Sequence, residues 1–141
     1  MAINYQTIEQ AIVDLLATVI PEANVIMEPA EVGAVDRTEI GVTLTGEENS
    51  EEYIGSSNPY QTILRFSLLC SEFHPDGVYQ ANLKRNTMVN KIREAIKGDT
   101  NRNLSGKVSF HQLGRIEYET AQDDAGFWSA ANIELLVTLM A

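Results

Sequence analysis

The stretch that decides the fold is Tyr60-Gln61-Thr62-Ile63-Leu64-Arg65-Phe66-Ser67-Leu68-Leu69-Cys70. Apolar side chains recur at every second position from Leu64 to Cys70, and side chains two residues apart point to the same face of a strand. The alternation therefore predicts a long strand with one face in a hydrophobic core, and the neighbouring segments have to supply what covers that face.

A helix is predicted on the N-terminal side of this strand. Thr7-Ile8-Glu9-Gln10 fits a capping box, in which a Thr hydroxyl caps the first turn. Apolar residues then recur at helical spacing until the chain reaches Pro21, where the helix is expected to end. The stripe consists of Ile8, Ala11, Ile12, Leu15, Leu16 and Val19.

A second helix is predicted from Val78 to Lys97, on the C-terminal side of the strand. Asp76 or Gly77 is the expected N-cap and Gly98 the expected stop. One face of this segment carries an apolar stripe of Met88, Val89, Ile92, Ala95 and Ile96.

Shorter period-two patterns predict the remaining strands: Val25 to Met27, Ile40 to Leu44, Arg115 to Glu119 and Ile133 to Leu139. Neighbouring strands in this order can pair as antiparallel hairpins, and two helices suffice to cover one face of the sheet. The prediction is an α+β fold: a single-domain two-layer sandwich over residues 1–141, with a mainly antiparallel sheet and two helices packed on one face.

The uncovered face of such a sheet has a mixed character. Its parity includes Thr43, Gln61, Arg65 and Ser67, but also the apolar Ile63, Leu69, Leu136 and Met140. A partly apolar second face indicates a subunit neighbour, and a twisted sheet edge is the alternative explanation.

The charge balance excludes some partners. The chain has 20 acidic residues against 10 lysines and arginines, a formal net charge of −10. Groove-type DNA binding depends on cationic side chains that neutralise phosphates, so it is not expected. An acidic wall still suits a channel through which DNA passes without specific contact. The apolar run from Ile133 to Ala141 is far shorter than the roughly 20 residues of a membrane-spanning helix, and no membrane partner is expected.

Few residues offer catalytic or metal chemistry. Cys70, His74 and His111 are the only soft ligands, whereas a structural zinc site takes four ligands and a catalytic one three plus water. We predict no metal, no cofactor and no catalytic residues. Carboxylates are abundant enough to form an acid–base pair by chance, which keeps a carboxylate enzyme open as an alternative. Met1 to Tyr5 lacks the features of a signal peptide, so a cytosolic protein is expected.

An acidic connection follows the strand that starts at Ile40. The segment from Glu47 to Pro59 contains Glu47, Glu48, Glu51 and Glu52 among small polar residues. Long connections of this kind are commonly functional. We predict a flexible loop over residues 47–59 that orders during assembly, and the alternative is a solvated hairpin end with no role.

A motif before the last strand carries a family resemblance. The sequence Asp123-Asp124-Ala125-Gly126-Phe127-Trp128-Ser129 resembles the strand entry of the tail terminator (minor tail protein U) family of lambda-like long-tailed phages. Ile40 to Thr45, leading into Gly46-Glu47-Glu48, resembles the family's strand and acidic extension. Two local alternatives stay open: the Asp pair as an ordinary turn, and the Trp as intramolecular packing.

The resemblance implies a structural phage protein rather than an enzyme. Such a protein forms a homo-oligomeric ring, expected to be hexameric, that caps the head-proximal end of the tail tube. It stops tube polymerisation and offers the head-joining surface. Its expected partners are the tail tube protein and a head connector or completion protein, with DNA passing through the lumen. Its expected locations are the virion tail and, during assembly, the host cytoplasm.

The alternatives to this function are another phage neck or head–tail completion protein, or a small cytosolic binding module or enzyme. The candidate assembly-interface residues are Glu47, Glu48, Glu51, Glu52, Arg65, Asp123, Asp124 and Trp128.

Overall fold

Five strands form one layer of the protein and two helices form the other. A computed structural model describes residues 3–27, 38–50, 61–122 and 124–140. In chain order the elements are α1 (Tyr5–Val19), β1 (Asn24–Ile26), β2 (Glu39–Ser50), β3 (Gln61–His74), α2 (Val78–Lys97), β4 (Phe110–Gln122) and β5 (Phe127–Met140). The predicted α+β class, with a mainly antiparallel sheet, is confirmed.

The strand order across the sheet is β1-β2-β3-β5-β4. β1 runs parallel to β2, and all other neighbours are antiparallel. β3 lies in the middle, where Leu64 has Glu47 on one side and Val137 on the other. A central strand covered on one face should alternate between buried and partly exposed residues, as the sequence predicts.

The core lies between the sheet and the helices. Leu64, Phe66, Leu68 and Cys70 are all fully buried, which confirms the predicted phase of β3. The opposing helix residues in the core are Ile8, Ile12, Leu16, Met88, Val89, Ile92, Ala95 and Ile96. Both helices therefore pack on the same face, and the other face of the sheet has no helix over it among the described elements.

The predicted cap of α1 is wrong by three residues. Asn4, not Thr7, is the N-cap, and its side-chain oxygen accepts a hydrogen bond from the Thr7 backbone N–H at 3.1 Å. Asn is among the strongest N-cap residues, and starting there adds nearly a full turn to the helix. Thr7 becomes a residue of the first turn instead. α1 ends at Val19, close to the predicted end.

α2 has the predicted bounds. Gly77 occupies the N-cap without a side-chain hydrogen bond, and Gly98 follows the last residue with its N–H bonded to the Glu94 carbonyl. Gly98 has a right-handed backbone conformation. The helix therefore ends at the predicted glycine, but without the left-handed cap that glycine often forms.

The predicted acidic loop starts later than expected. Residues 47–50 belong to β2 and pair with the first four residues of β3. These pairs follow a shift in the register of the two strands between Leu44 and Gly46. A bulge of this kind inserts a residue but preserves the pairing on either side. Glu47 and Glu48, which would repel each other in a free loop, instead contact Tyr5 of α1 and Arg65 of β3. These contacts favour the longer strand. The rest of the predicted loop, residues 51–59, lies outside the described residues.

Candidate assembly surface

The sheet face away from the helices has no covering element in the described structure. We call it the outer face. By strand register it includes Thr43, Glu48, Gln61, Ile63, Arg65, Ser67, Leu69, Phe110, Gln112, Glu117, Glu119, Asn132, Glu134, Leu136, Thr138 and Met140. About half of these side chains are partly or fully buried by their neighbours, although no described element packs over the face.

Arg65 stands at the centre of the outer face and joins three strands. Its guanidinium lies 3.5 Å from the Glu48 carboxylate on β2 and 3.3 Å from the Glu134 carboxylate on β5. With the Arg65 side chain 38% exposed, each ion pair contributes little stability. The ion pairs instead fix where these charged groups lie on the outer face. Arg65 and Glu48, both predicted interface residues, are in contact there. Glu134 was missed, because only the strand register brings it to them.

Glu47 and Glu48 point to opposite sides of the sheet. Successive side chains of a strand alternate between its faces. Glu48 therefore lies on the outer face, whereas Glu47 reaches the helix layer and accepts a hydrogen bond from the Tyr5 hydroxyl at 2.6 Å. The two glutamates that the sequence groups into one acidic segment thus belong to two different surfaces.

The turn between β4 and β5 holds the motif that carries the family resemblance. Asp124 is exposed in this turn, and Asp123, Glu51 and Glu52 lie outside the described residues. Gly126 has φ +153°, and a Cβ there would lie 2.8 Å from Pro75 Cα and 2.9 Å from the Phe73 ring. Glycine is therefore required by the close approach of this turn to the segment after β3.

Trp128 packs within the monomer. It is 4% exposed, and its ring centroid lies 4.7 Å from that of Phe73 on the neighbouring strand, with the planes tilted by 49°. Tilted aromatic pairs at this distance are favourable. The packing alternative left open by the sequence describes this contact, which leaves little of the indole surface for a partner.

A second exposed surface, not predicted from the sequence, runs along α2 opposite its buried side. Its residues follow one another at alternating spacings of four and three, which places them on one stripe of a helix. We call it the α2 stripe: Tyr79, Leu83, Asn86, Asn90, Arg93 and Lys97. Tyr79 is 68% exposed and Leu83 44%. The helical spacing of these residues is visible in the sequence. Whether they are exposed depends on which side of α2 packs against the sheet.

The predicted soft ligands are dispersed. Cys70 is enclosed in the core, where burial raises the pKa of its thiol to about 12. His111 is buried in β4, with Nε2 2.7 Å from Asp99 Oδ2, and the same carboxylate oxygen accepts a hydrogen bond from the Leu104 N–H at 2.8 Å. Among the described residues no group of three or more His, Cys, Asp and Glu is placed to hold a metal ion.

The Asp99 contacts have a structural consequence. They hold the connection between α2 and β4, which includes left-handed backbone conformations at Asn101, Arg102, Leu104 and Ser105. Left-handed conformations are costly for residues other than glycine and persist where surrounding contacts hold them. A groove of about 590 Å³ between this connection and α1 is lined by Asp14, Asp99, Ser105 and Lys107, among others.

A buried carboxylate ties β3 to α2. Glu72 is 4% exposed, accepts a hydrogen bond from the Thr38 hydroxyl and lies 4.0 Å from the Lys84 ammonium. Burial raises the pKa of Glu72, with the Thr38 hydrogen bond and the Lys84 charge acting in the opposite direction.

Comparisons with known proteins do not extend the site. A scan against protein-family models finds no family that matches the chain, and a search among curated proteins finds no match either. Within the described part of the chain, neither helix has the length and apolar character needed to cross a bilayer. The features that bear on function are therefore the outer face, the α2 stripe and the turn whose Asp-Asp-Ala-Gly sequence carries the family resemblance.

Proposed function

We propose that this protein is a structural component of a long-tailed phage, a tail terminator that forms a ring at the head-proximal end of the tail tube. The observation that supports the proposal best is the outer face. Half-buried Ile63, Leu69 and Leu136 lie on this face, as does Met140, which is 54% exposed. Apolar side chains in a sheet face without a covering layer are typical of surfaces that another subunit covers.

The proposed mechanism depends on two unlike surfaces. A ring closes when one surface of each copy binds a different surface of the next and the rotation returns to the start. One side of the ring then matches the last ring of the tail tube, and the opposite side offers no site for a further tube ring. A head connector or completion protein binds there instead. The site contributes binding geometry and charge, and the proposal assigns it no catalytic step.

The net charge of −10 supports a passive role toward DNA. DNA that moves through a lumen has to avoid strong attraction to the wall, and acidic side chains repel phosphate. We place the protein in the virion tail, and in the host cytoplasm while tails assemble. Another neck or completion protein remains the alternative within the same class.

The test is the length distribution of tail tubes, assembled from cognate tube components with and without this protein and measured by electron microscopy. Uniform lengths only in its presence are the expected result. Equal, well-defined lengths in both cases, with particles that fail later at head joining, would move the protein to the connector or completion class. Unchanged lengths together with normal head joining would contradict both assignments.

The acidic segment provides a second arm of this experiment. Replacing Glu47, Glu48, Glu51 and Glu52 with Ser should leave the fold intact, because Glu47 and Glu48 are exposed and lie outside the core. We expect this variant to alter tail lengths. A matched variant that changes only Glu47 and Glu48 separates the strand residues from the rest of the segment. Normal tails from the fourfold variant would remove the segment from the assembly surface.

A further inference from the structure

Positive charge is concentrated on one layer of the molecule. Seven of the ten lysines and arginines lie within a single stretch: Lys84, Arg85, Lys91, Arg93, Lys97, Arg102 and Lys107. Five of these belong to α2. Because the whole chain is strongly acidic, this stretch is a local reversal of the overall charge, and such reversals favour association with an acidic surface.

Only part of that positive charge is available to a partner. Lys84 turns toward Glu72 and the Phe73 carbonyl, and Lys91 pairs with Glu22 on the segment after α1. Arg93 and Lys97 lie on the α2 stripe, are exposed, and enter no ion pair within the described structure. The stripe therefore has an apolar half at Tyr79 and Leu83, and a basic half about three to four turns after Leu83.

The outer face has the same division with the opposite charge. At one end Ile63, Phe110 and Met140 form an apolar region, in which Phe110 is 40% exposed. At the other end Glu117 and Glu119 are exposed on β4, beside the uncharged Asn132, Leu69 and Ala130. Glu117 is paired with Arg115 at 3.2 Å, whereas Glu119 has no ion pair among the described residues, and Arg65 is shared between two carboxylates.

The two surfaces also match in length. From Tyr79 to Lys97 the stripe extends about 27 Å, at the helical rise of ~1.5 Å per residue. On β5, the distance from Thr138, beside Phe110, to Ala130, beside Glu119, is about 26 Å at ~3.3 Å per residue. When the helix lies along the strands, one placement therefore puts the apolar half of the α2 stripe on the apolar end of the outer face. The same placement puts its basic half near Glu117 and Glu119.

We propose that the α2 stripe of one copy binds the outer face of a second copy. Tyr79 and Leu83 lie on the apolar end, and Arg93 and Lys97 lie on the acidic end beside Glu117 and Glu119. Each copy carries both surfaces on opposite layers, so the contact is head-to-tail and repeats from copy to copy. The proposal rests on the proposed ring and names the subunit interface that builds it.

The test uses two charge-reversed variants. The helix variant carries Arg93→Glu and Lys97→Glu, and the sheet variant carries Glu117→Lys and Glu119→Lys. Each alone places like charges across the contact, and self-association measured by analytical ultracentrifugation should weaken on the order of 100-fold. Mixing the two variants restores opposite charges at every contact. The mixture should therefore associate like wild type, with the two variants in equal numbers in native mass spectrometry.

Matched controls carry the same charge changes elsewhere. Arg102→Glu with Lys107→Glu controls for the helix variant, and Asp14→Lys with Asp76→Lys controls for the sheet variant, since all four side chains are exposed and off both surfaces. Both controls should associate like wild type. Circular dichroism verifies folding, and if a double variant fails to fold, Lys97→Glu and Glu119→Lys alone give the same comparison.

Three results would overturn the contact: a wild-type protein that stays monomeric at its highest soluble concentration, reversed variants that associate like their controls, or a mixture that does not recover. The tube-length experiment reports on function separately. Reversed variants that still set uniform tail lengths would reject this contact while the terminator function stands. A mixture that recovers, from a protein that does not control tube length, would keep the contact and reject the function.

Discussion

At the scale of single residues, Glu72 makes the stability of the fold depend on pH. Burial raises its pKa above the ordinary value of 4.5, so the folded state holds this proton more tightly than the unfolded state. The free energy of unfolding therefore falls as pH rises from about 4.5 through the raised pKa. Each unit of difference between the two pKa values corresponds to about 1.4 kcal/mol.

The variant Glu72→Gln removes this titration. We expect it to be more stable than wild type at neutral pH, with the difference shrinking toward pH 4.5. Denaturant unfolding at a series of pH values measures both quantities. Glu94→Gln is the control, because that side chain is exposed and lies off both proposed contact surfaces. A variant less stable than wild type at neutral pH would show that the Lys84 charge outweighs burial.

At the scale of elements, β3 holds the sheet together. It pairs with β2 and β5 along its length, and its helix-facing residues are fully buried. Phe66→Ala or Leu64→Ala should lower the free energy of unfolding by about 2–5 kcal/mol and reduce the yield of soluble protein, since each leaves a cavity between the layers. Chemical denaturation checks this. Gln112→Ala, exposed on the outer face, should change stability little. Equal denaturation midpoints for all three variants would contradict the burial of the helix-facing side of β3.

The bounds of the elements show how far local pattern reaches. α2 matched its predicted range because its cap position, apolar stripe and terminal glycine all lie within the segment itself. β4 was predicted from Arg115 to Glu119 but extends from Phe110 to Gln122. Much of β4 is exposed at the edge of the sheet, so its sequence lacks the alternation that burial on one face imposes. Pairing with β5 makes it a strand, and that information lies outside the segment.

At the scale of the whole molecule, one sheet joins every strand and one core contacts both helices. We expect a single cooperative unfolding transition, as is usual for domains of fewer than about 150 residues. Trp128 is the only tryptophan. It is buried at the start of β5, beside the end of β3, so its fluorescence reports on packing there. Far-UV circular dichroism reports on the helices and the sheet. The two probes should give coincident denaturation curves, and separated midpoints would indicate more than one folding unit.

The sequence by itself determined the fold class, the phase of β3, the range of α2 and the mixed character of the outer face. These follow from periodicity, which records for each segment the direction in which its own side chains meet the core. It also located Arg65 on the uncovered side, because its parity in the predicted strand opposes that of the core residues, whereas Glu48 was predicted in a flexible loop and was placed beside Arg65 only by the pairing of β2 with β3.

Only the tertiary structure decided what depends on register and on contact between distant segments. Register brought Glu134 to Arg65, and the pleat of β2 sent Glu47 and Glu48 to opposite faces. Packing of Phe73 against Trp128 placed the indole inside the monomer, and the choice of which α2 stripe faces the sheet left Arg93 and Lys97 exposed. A pairing between strands far apart in the chain leaves no trace in either segment alone, since each local pattern is compatible with several registers, and the shared core selects one of them.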